Sequence, residues 1–413
     1  MKPSELLTVP LSTLTDLDLT DPAFKADPFA FYARLRAEAP AFKVRAPRDQ
    51  RAWLVTRYDD VLSVLKDETH FVKEARNAMT PEQLRKAPKM PPFFQALGRG
   101  MINLDGADHD RLKVLVHKAF TPRMVEGMRQ ATQEVTDAAL DRALTTGHLD
   151  LVADFALPVP LTIIGRILGV PERDNPRFNR GMKAFVAVGS TPSPLLIPPL
   201  LSFMTYLKGL IRARRRRSQD DLISALVAAQ ESGDQLTDDE ILAMIFLLLS
   251  AGHETTVNLI GSGTLALLEN PEQLQRLRDD PSLIRSAVEE LLRFVVPAEM
   301  ASERYTAQDM TVSGVTIPKG ELVLAVIASA NRDDAQFHQP DILDLGRSPN
   351  RHLSFGRGLH YCLGAPLSRM EAQIALETLL RRAPGLRLSV PADSLRWRGS
   401  FIVRGLESLP VTL

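Results

Sequence analysis

The chain has 413 residues, 45% of them hydrophobic, enough to build a large core. Its 50 basic and 50 acidic residues cancel to a net charge of zero, which argues against a nucleic-acid or anionic-membrane partner and points to a small apolar molecule. One cysteine cannot close an internal disulfide, which fits a reducing cytoplasm, and the residues up to Phe24 lack the unbroken apolar run of a signal peptide or membrane anchor.

In chain order, Asp27–Glu38 has helical spacing, and Arg51–Tyr58 reads as a short strand before a helix over 59–65. Long helical segments follow. The run Arg214–Arg217 marks the solvated end of a helix. Length alone would allow several domains, yet no flexible tether is visible. The Pro-rich stretch Thr191–Pro199 is short and apolar, so it reads as a lid loop, and the whole of 1–413 is expected to form a single domain.

The next helix is the most informative. Thr237 followed three residues later by Glu240 predicts a capping box, and helical residues run on to Glu269 before Asn270-Pro271 stops them. At 1.5 Å per residue that is roughly 48 Å. Nine consecutive apolar residues, Ile241 to Leu249, predict burial on all sides at the protein's centre, in a run well below the ~20 residues that span a bilayer. Then comes Ala251-Gly252-His253-Glu254-Thr255-Thr256, where a glycine, a carboxylate and two hydroxyls break the rules of a buried helix. Such local violations mark function, the alternative being a kinked helix with a solvated glutamate. Downstream, Glu290 and Arg293 fall at i and i+3 and can pair on one helix face. Strands are expected at Thr311–Ile317, Leu322–Ile327 and Arg396–Val403. Helices with segregated strands predict a mainly α fold with small β-sheets at one side.

The only cysteine, Cys362, stands in Phe355-Gly-Arg-Gly-Leu-His-Tyr-Cys-Leu-Gly364. Gly356, Gly358 and Gly364 permit close approach of backbone to a flat ligand, and the helical text from Ala365 places Cys362 just before a helix N-terminus, which favours a thiolate. A buried inert cysteine is the alternative. Phe355, Gly358, Cys362 and Gly364 occupy the fixed positions of FxxGxxxCxG, and the sequence resembles the cytochrome P-450 family over nearly its whole length, from Asp27-Pro28 to Arg404-Gly405-Leu406.

The resemblance implies the triangular, helix-rich cytochrome P-450 fold and a haem b cofactor, iron protoporphyrin IX, with Cys362 as the iron's thiolate ligand. It places the oxygen-activation acid and alcohol on Glu254 and Thr255, with Ala251 and Gly252 leaving space above the iron and His253 facing away. It makes Glu290, Arg293 and Arg347 a structural triad. It gives the haem propionates to His360, Arg304, His109 and Lys113, the last standing where the family has arginine and lacking that residue's two-pronged geometry. Phe355, Gly356 and Gly364 would complete the cofactor site.

The implied reaction is monooxygenation, hydroxylation or epoxidation of a fairly large apolar molecule such as a macrolide, terpenoid, steroid or fatty acid. O₂ would be the oxidant. No flavin or iron–sulfur segment is visible, so electrons are expected from a ferredoxin and its NAD(P)H-dependent reductase, for a monomeric cytoplasmic enzyme. Rival readings are a peroxygenase of the same fold, a non-catalytic haem-thiolate sensor, and a zinc or nucleophilic-cysteine hydrolase, for which ligand spacing and a His/Asp arrangement are missing. The pocket is expected along Met90–Leu97 with Phe94, Phe185–Leu201 with Phe185, Val296–Met300 with Val296 and Ala298, and the turn carrying Phe401 and Ile402.

Overall fold

The computed structural model describes residues 5–47, 50–86, 100–190, 193–231 and 236–413. Helices dominate. The N-terminal α1 (Pro22–Ala26) and α2 (Phe29–Glu38) lead into a β1 (Ala41–Ala46), β2 (Gln50–Val55) hairpin and α3 (Tyr58–Lys66). The expected strand over 51–58 therefore ends at Val55, and Tyr58 opens the helix instead. Its backbone N–H is capped by Asp333 Oδ2 at 2.7 Å.

The helical body comprises α4 (Gly106–Ala119), α5 (Arg129–Thr146), α6 (Pro158–Ile167), α7 (Asn175–Ser190), α8 (Ile197–Arg216), α9 (Leu222–Glu231), α10 (Asp238–Glu269), α11 (Ile284–Val295) and α12 (Ala365–Arg382). Among the described residues, strands β1, β2, β8 (Leu322–Ala325), β5 (Arg304–Thr306) and β3 (Phe71–Val72) form one sheet in the order β1-β2-β8-β5-β3, with only β2 and β8 parallel. A second sheet orders β4 (His148–Asp150), β10 (Pro410–Thr412) and β9 (Arg387–Leu388), and β6 (Met310–Val312) pairs with β7 (Val315–Ile317).

Several local expectations need correction. The single strand over 311–317 is a hairpin, because Ser313 and Gly314 take φ of 47° and 79°. The strand from Leu322 stops at Ala325, and Ile327 begins a short helix. Arg396–Val403 forms no strand, only isolated bridges from Trp397 to Leu406 and from Ala298 to Val403. The loop expected up to Pro199 is a 3-10 turn, Pro194–Leu196, running straight into α8, whose first turn tolerates proline because its N–H groups have no helical partner. Arg214 is not solvated. It is buried against Asp221 and donates to Gly169 O.

α10 begins with both halves of the capping box, Thr237 Oγ1 accepting from Glu240 N and Glu240 Oε2 accepting from Thr237 N. Its first half, through Leu249, packs into a core with α4, α6, α8 and α9; its second half, from Val257, enters a different core with α5, α11 and α12. The segment 250–256 lies between the two cores. α10 and the span 194–216 are each long and apolar enough to cross a bilayer, but most of that window in α10 is buried inside the protein.

Candidate active site

The loop before α12 is shaped by two glycines in the left-handed region, Gly356 at φ 70° and Gly358 at φ 77°. A Cβ on Gly358 would stand 2.7 Å from Leu65 O, so no other residue fits there without moving backbone. The turn brings Cys362 N to donate to Phe355 O at 2.9 Å. Cys362 is accessible yet sits deep among protein atoms, and burial pushes its thiol up. Backbone N–H groups of Gly364 and Ala365 and the charge of Arg369 pull the other way. These donors at a helix N-terminus are the environment that an iron-bound thiolate needs.

Phe355 is half-buried beneath the Arg369 guanidinium, 4.4 Å from its ring centre. Arg369 grips Glu289 of α11 with two bonds, 2.6 and 2.8 Å, and His352 Nε2 lies 3.0 Å from the same carboxylate. Burial alone would raise the Glu289 pKa, but the bonds from Arg369 and His352 outweigh it and bring it down to about 2.

His360 lies among cations. Its ring centre is 4.3 Å from that of His109, which is buried. Burial first, then the charges of Lys73, His109, Arg304 and Lys113, push the His360 pKa down to about 2. Arg304 is buried on β5 and lowered to about 10 by burial, while buried Lys73 donates to Ser302 Oγ at 2.6 Å and Glu303 O at 2.7 Å and is likewise pushed well down, by burial and by Arg304. So much positive charge around one histidine fits a ligand carrying two carboxylates, as the haem propionates are. Lys113 is placed differently from the rest, its ammonium donating to Leu359 O in the cysteine loop. Lys73 was not found from sequence. Its signal, a lysine in a strand-to-helix turn, becomes meaningful only once β3 pairs with β5.

In α10 the residues 251–256 are continuously α-helical. Ala251 is exposed and Gly252 half-buried, and a Cβ on Gly252 would stand 3.7 Å from Ile164 of α6, an ordinary contact. His253 is buried and Thr255 Oγ1 donates to Ala251 O at 2.9 Å. Burial pushes the Glu254 carboxyl up, opposed by Arg398, whose guanidinium is 3.9 Å away. Arg398 was also missed by sequence reading, being 144 positions downstream in an irregular segment. Thr256 Oγ1 donates to Ser368 Oγ at 3.0 Å and ties α10 to α12.

Glu290, Arg293 and Arg347 come together fully. Arg293 gives Glu290 two bonds, 2.8 and 2.7 Å, Arg347 Nε reaches both carboxylate oxygens at 3.1 Å, and Asp344 N and Asn350 Nδ2 complete the shell. Arg293 also donates to the carbonyls of Asn331, Pro340 and Ile342, and Arg347 to those of His338, Gln339 and Ile342. These bonds order a stretch without regular structure.

The expected pocket residues are dispersed. Phe94, with 90–97, lies outside the described residues. Phe185 is half-buried, its ring 5.0 Å from that of Phe246. Val296 is fully buried, in a left-handed turn at the end of α11. Ala298 and Ile402 are half-buried and adjoin through the bridge to Val403, while Phe401 lines a surface recess with Leu17, Thr20, Arg45 and Pro47.

A family model described as Cytochrome P450 matches residues 25–383. The chain is 41% identical over 393 residues to "Polyketide biosynthesis cytochrome P450 PksS" of Bacillus subtilis, covering 94% of this chain and 96% of the relative. It is 44% identical to "Cytochrome P450 107B1" of Saccharopolyspora erythraea, covering 96% and 97%. The solved PksS structure superposes with a TM-score of 0.88 at 40% identity, over 95% of this chain and 98% of that one, and myxobacterial CYP267B1 in complex with myristic acid gives 0.87 at 40% identity, over 95% and 98%. With the cysteine loop, the cation cluster and the long central helix in place, these matches show that the chain belongs to the cytochrome P450 family and is a haem-thiolate oxygenase.

Proposed function

We propose that the chain, as one haem domain over 1–413, binds haem b and uses O₂ to hydroxylate or epoxidise a fairly large apolar molecule of the macrolide, terpenoid, steroid or fatty acid class. The observation that carries this reading is Cys362, held between Phe355 O and the first N–H groups of α12, with five basic side chains on one flank. The polyketide assignment of the Bacillus relative and the myristic acid of the myxobacterial neighbour support the apolar substrate class.

When bound, the haem supplies iron-centred dioxygen chemistry. Cys362 Sγ would hold the iron, with the N–H groups of Gly364 and Ala365 holding the thiolate charge. His360, Arg304, His109 and Lys73 would take the propionates, and Lys113 would fix the loop through Leu359 O. Glu254, its carboxyl pushed up by burial against the charge of Arg398, can hold a proton, and Thr255 Oγ1 can pass one on by leaving Ala251 O. The Glu290–Arg293–Arg347 triad serves folding. Electrons would come from an acidic ferredoxin and its NAD(P)H-dependent reductase, docking on a basic patch of Arg357, Arg369, Lys113 and exposed Arg123, with the Lys118 side chain outside those described. The protein is read as a cytoplasmic monomer.

Screening macrolides, terpenoids, steroids and fatty acids for a haem spin-state shift, then measuring NADPH-dependent turnover of the hits with a surrogate ferredoxin pair, tests the reading. Products carrying one added oxygen atom are expected. Shifts without turnover would favour a binding-only protein, and turnover only with peroxide would favour a peroxygenase.

A further inference from the structure

Zero net charge over the whole chain conceals one lopsided region. From Asn175 to Arg217 there are nine basic and no acidic side chains. These residues form α7 and α8, with the 3-10 turn Pro194–Leu196 leading into α8. The two helices pack through the rings of Phe178 and Phe203, 5.7 Å apart, and the Arg177 guanidinium lies 4.8 Å over the Tyr206 ring. At the turn, Leu195 is 85% exposed, the most of any large apolar side chain among the described residues, and Ile197 and Leu201 beside it are 54% and 49% exposed.

The buried side of α8 is Leu200, Phe203, Leu207, Leu210 and Ile211. Its other side carries Ile197, Leu201, Lys208, Arg212 and Arg215, which at 3.6 residues per turn fall within about 60° of one line. Over a helix of about 30 Å this stripe is apolar in its first turns and basic beyond them. Exposed Arg177, Arg180 and Lys183 of α7 add to the positive charge. Pro194, Pro198 and Pro199 have no backbone N–H, so the apolar end presents fewer donors that would need a partner away from water. The span 194–216 is long and apolar enough to cross a bilayer, but its buried side is packed in a core with α4, α6, α9 and α10, so it is placed to lie on a bilayer and not to cross one.

We propose that the exposed stripe of α8, with the turn before it, is a docking surface for an anionic lipid bilayer. Leu195, Ile197 and Leu201 enter the acyl boundary, and the basic side chains meet the phosphate headgroups. Exposed apolar side chains joined to a row of cations are the composition by which helices lie in such an interface. A nucleic acid would leave the three apolar side chains in water, and an acidic protein would have to supply a recess for Leu195. Arg215 also pairs with Asp238, so Lys208 and Arg212 carry more of the attraction. The expectation drawn from net charge thus holds for the chain as a whole and not for this face. The inference does not depend on the haem reading.

The test is co-sedimentation of the holoprotein with vesicles of phosphatidylcholine alone and of an equimolar mixture with phosphatidylglycerol. Partitioning should favour the mixed vesicles by about tenfold or more at low salt and lose that preference near 1 M, where the Debye length is ~3 Å against ~10 Å at 0.1 M. Leu195→Ser/Ile197→Ser should weaken binding to mixed vesicles by about tenfold and keep its salt dependence. Lys208→Glu/Arg212→Glu should weaken it by a similar factor and flatten the salt dependence. All four side chains lie on the outer side, so circular dichroism should show unchanged helix content; should a double variant lose helix, Leu195→Ser and Arg212→Glu alone decide by the same criteria. Equal partitioning to the two kinds of vesicle, or none to either, overturns the proposal. Binding to poly-glutamate that survives Leu195→Ser/Ile197→Ser, with vesicles ignored, overturns it in favour of an acidic protein partner.

Discussion

Arg369, seven residues past the cysteine, clasps Glu289 through two bonds of 2.6 and 2.8 Å and so fastens α12 to α11 while its guanidinium covers Phe355. Both side chains are about 30% exposed, so screening moderates the pair.

Arg369→Met should lower stability at neutral pH by about 1–3 kcal/mol, mostly by leaving a half-buried carboxylate with His352 alone. Glu289 is depressed in the folded state, so its contribution is present above its ordinary value near 4.5 and is lost as pH falls towards 2. The gap between wild type and variant in denaturant titrations should therefore narrow on acidification. A constant gap would assign the loss to packing on Phe355.

Cys362→His should abolish the red-shifted Soret band of the reduced, CO-bound protein. Retention of a thiolate spectrum in that variant would falsify the assignment, Cys362 being the only cysteine.

Glu254→Gln keeps size and removes the ionisable group, so turnover should slow on the order of ten- to a hundredfold with substrate affinity nearly unchanged. Thr255→Ala should leave NADPH consumption largely intact but divert it into peroxide. Coupling at wild-type levels in both variants would show that 254–255 carry no catalytic proton.

Lys73→Met should speed haem loss to an acceptor protein on the order of tenfold if this buried lysine, beside Arg304 and His360, takes a propionate in the holoprotein. Lys113→Met should do less, because its bond to Leu359 O lies at an exposed position where solvent screens its charge, whereas Lys73 is buried. Equal rates for the two variants would place Lys73 away from the haem.

Buried Glu371 on α12 is pushed up to about 8 by burial, and its Oε2 has no hydrogen-bond partner among the described residues. The native state thus binds a proton that the unfolded chain releases near 4.5, so stability present below that value is lost as pH rises towards 8, by on the order of a few kcal/mol. Glu371→Gln, which mimics the neutral acid, should flatten this decline. Parallel pH profiles for the two proteins would show that the carboxyl is not responsible.

The cysteine loop was readable from sequence because glycines at left-handed positions and a helix start leave a local signature, and the capping box of α10 was readable for the same reason. Glu290 and Arg293 share one helix turn. What sequence could not reveal depends on partners far apart: Lys73 acquires its surroundings from β5, Arg398 meets Glu254 across 144 positions, and Lys25 meets Glu299 across 274. The segment 396–403 was expected as a strand, but a local run cannot supply a neighbouring strand to pair with, and only isolated bridges form.

The meander from Asn331 to Asn350 owes its shape to two guanidinium groups. Asn331 also passes that order forward. Its Oδ1 accepts from Leu353 N at 2.8 Å, and its Nδ2 donates to Ser354 Oγ, whose own hydroxyl donates to Leu292 O in α11. The entry to the cysteine loop is therefore suspended from α11 by a short chain of polar contacts. A displacement of that helix would be felt first at Leu353 and Ser354, where the segment leading to Cys362 begins.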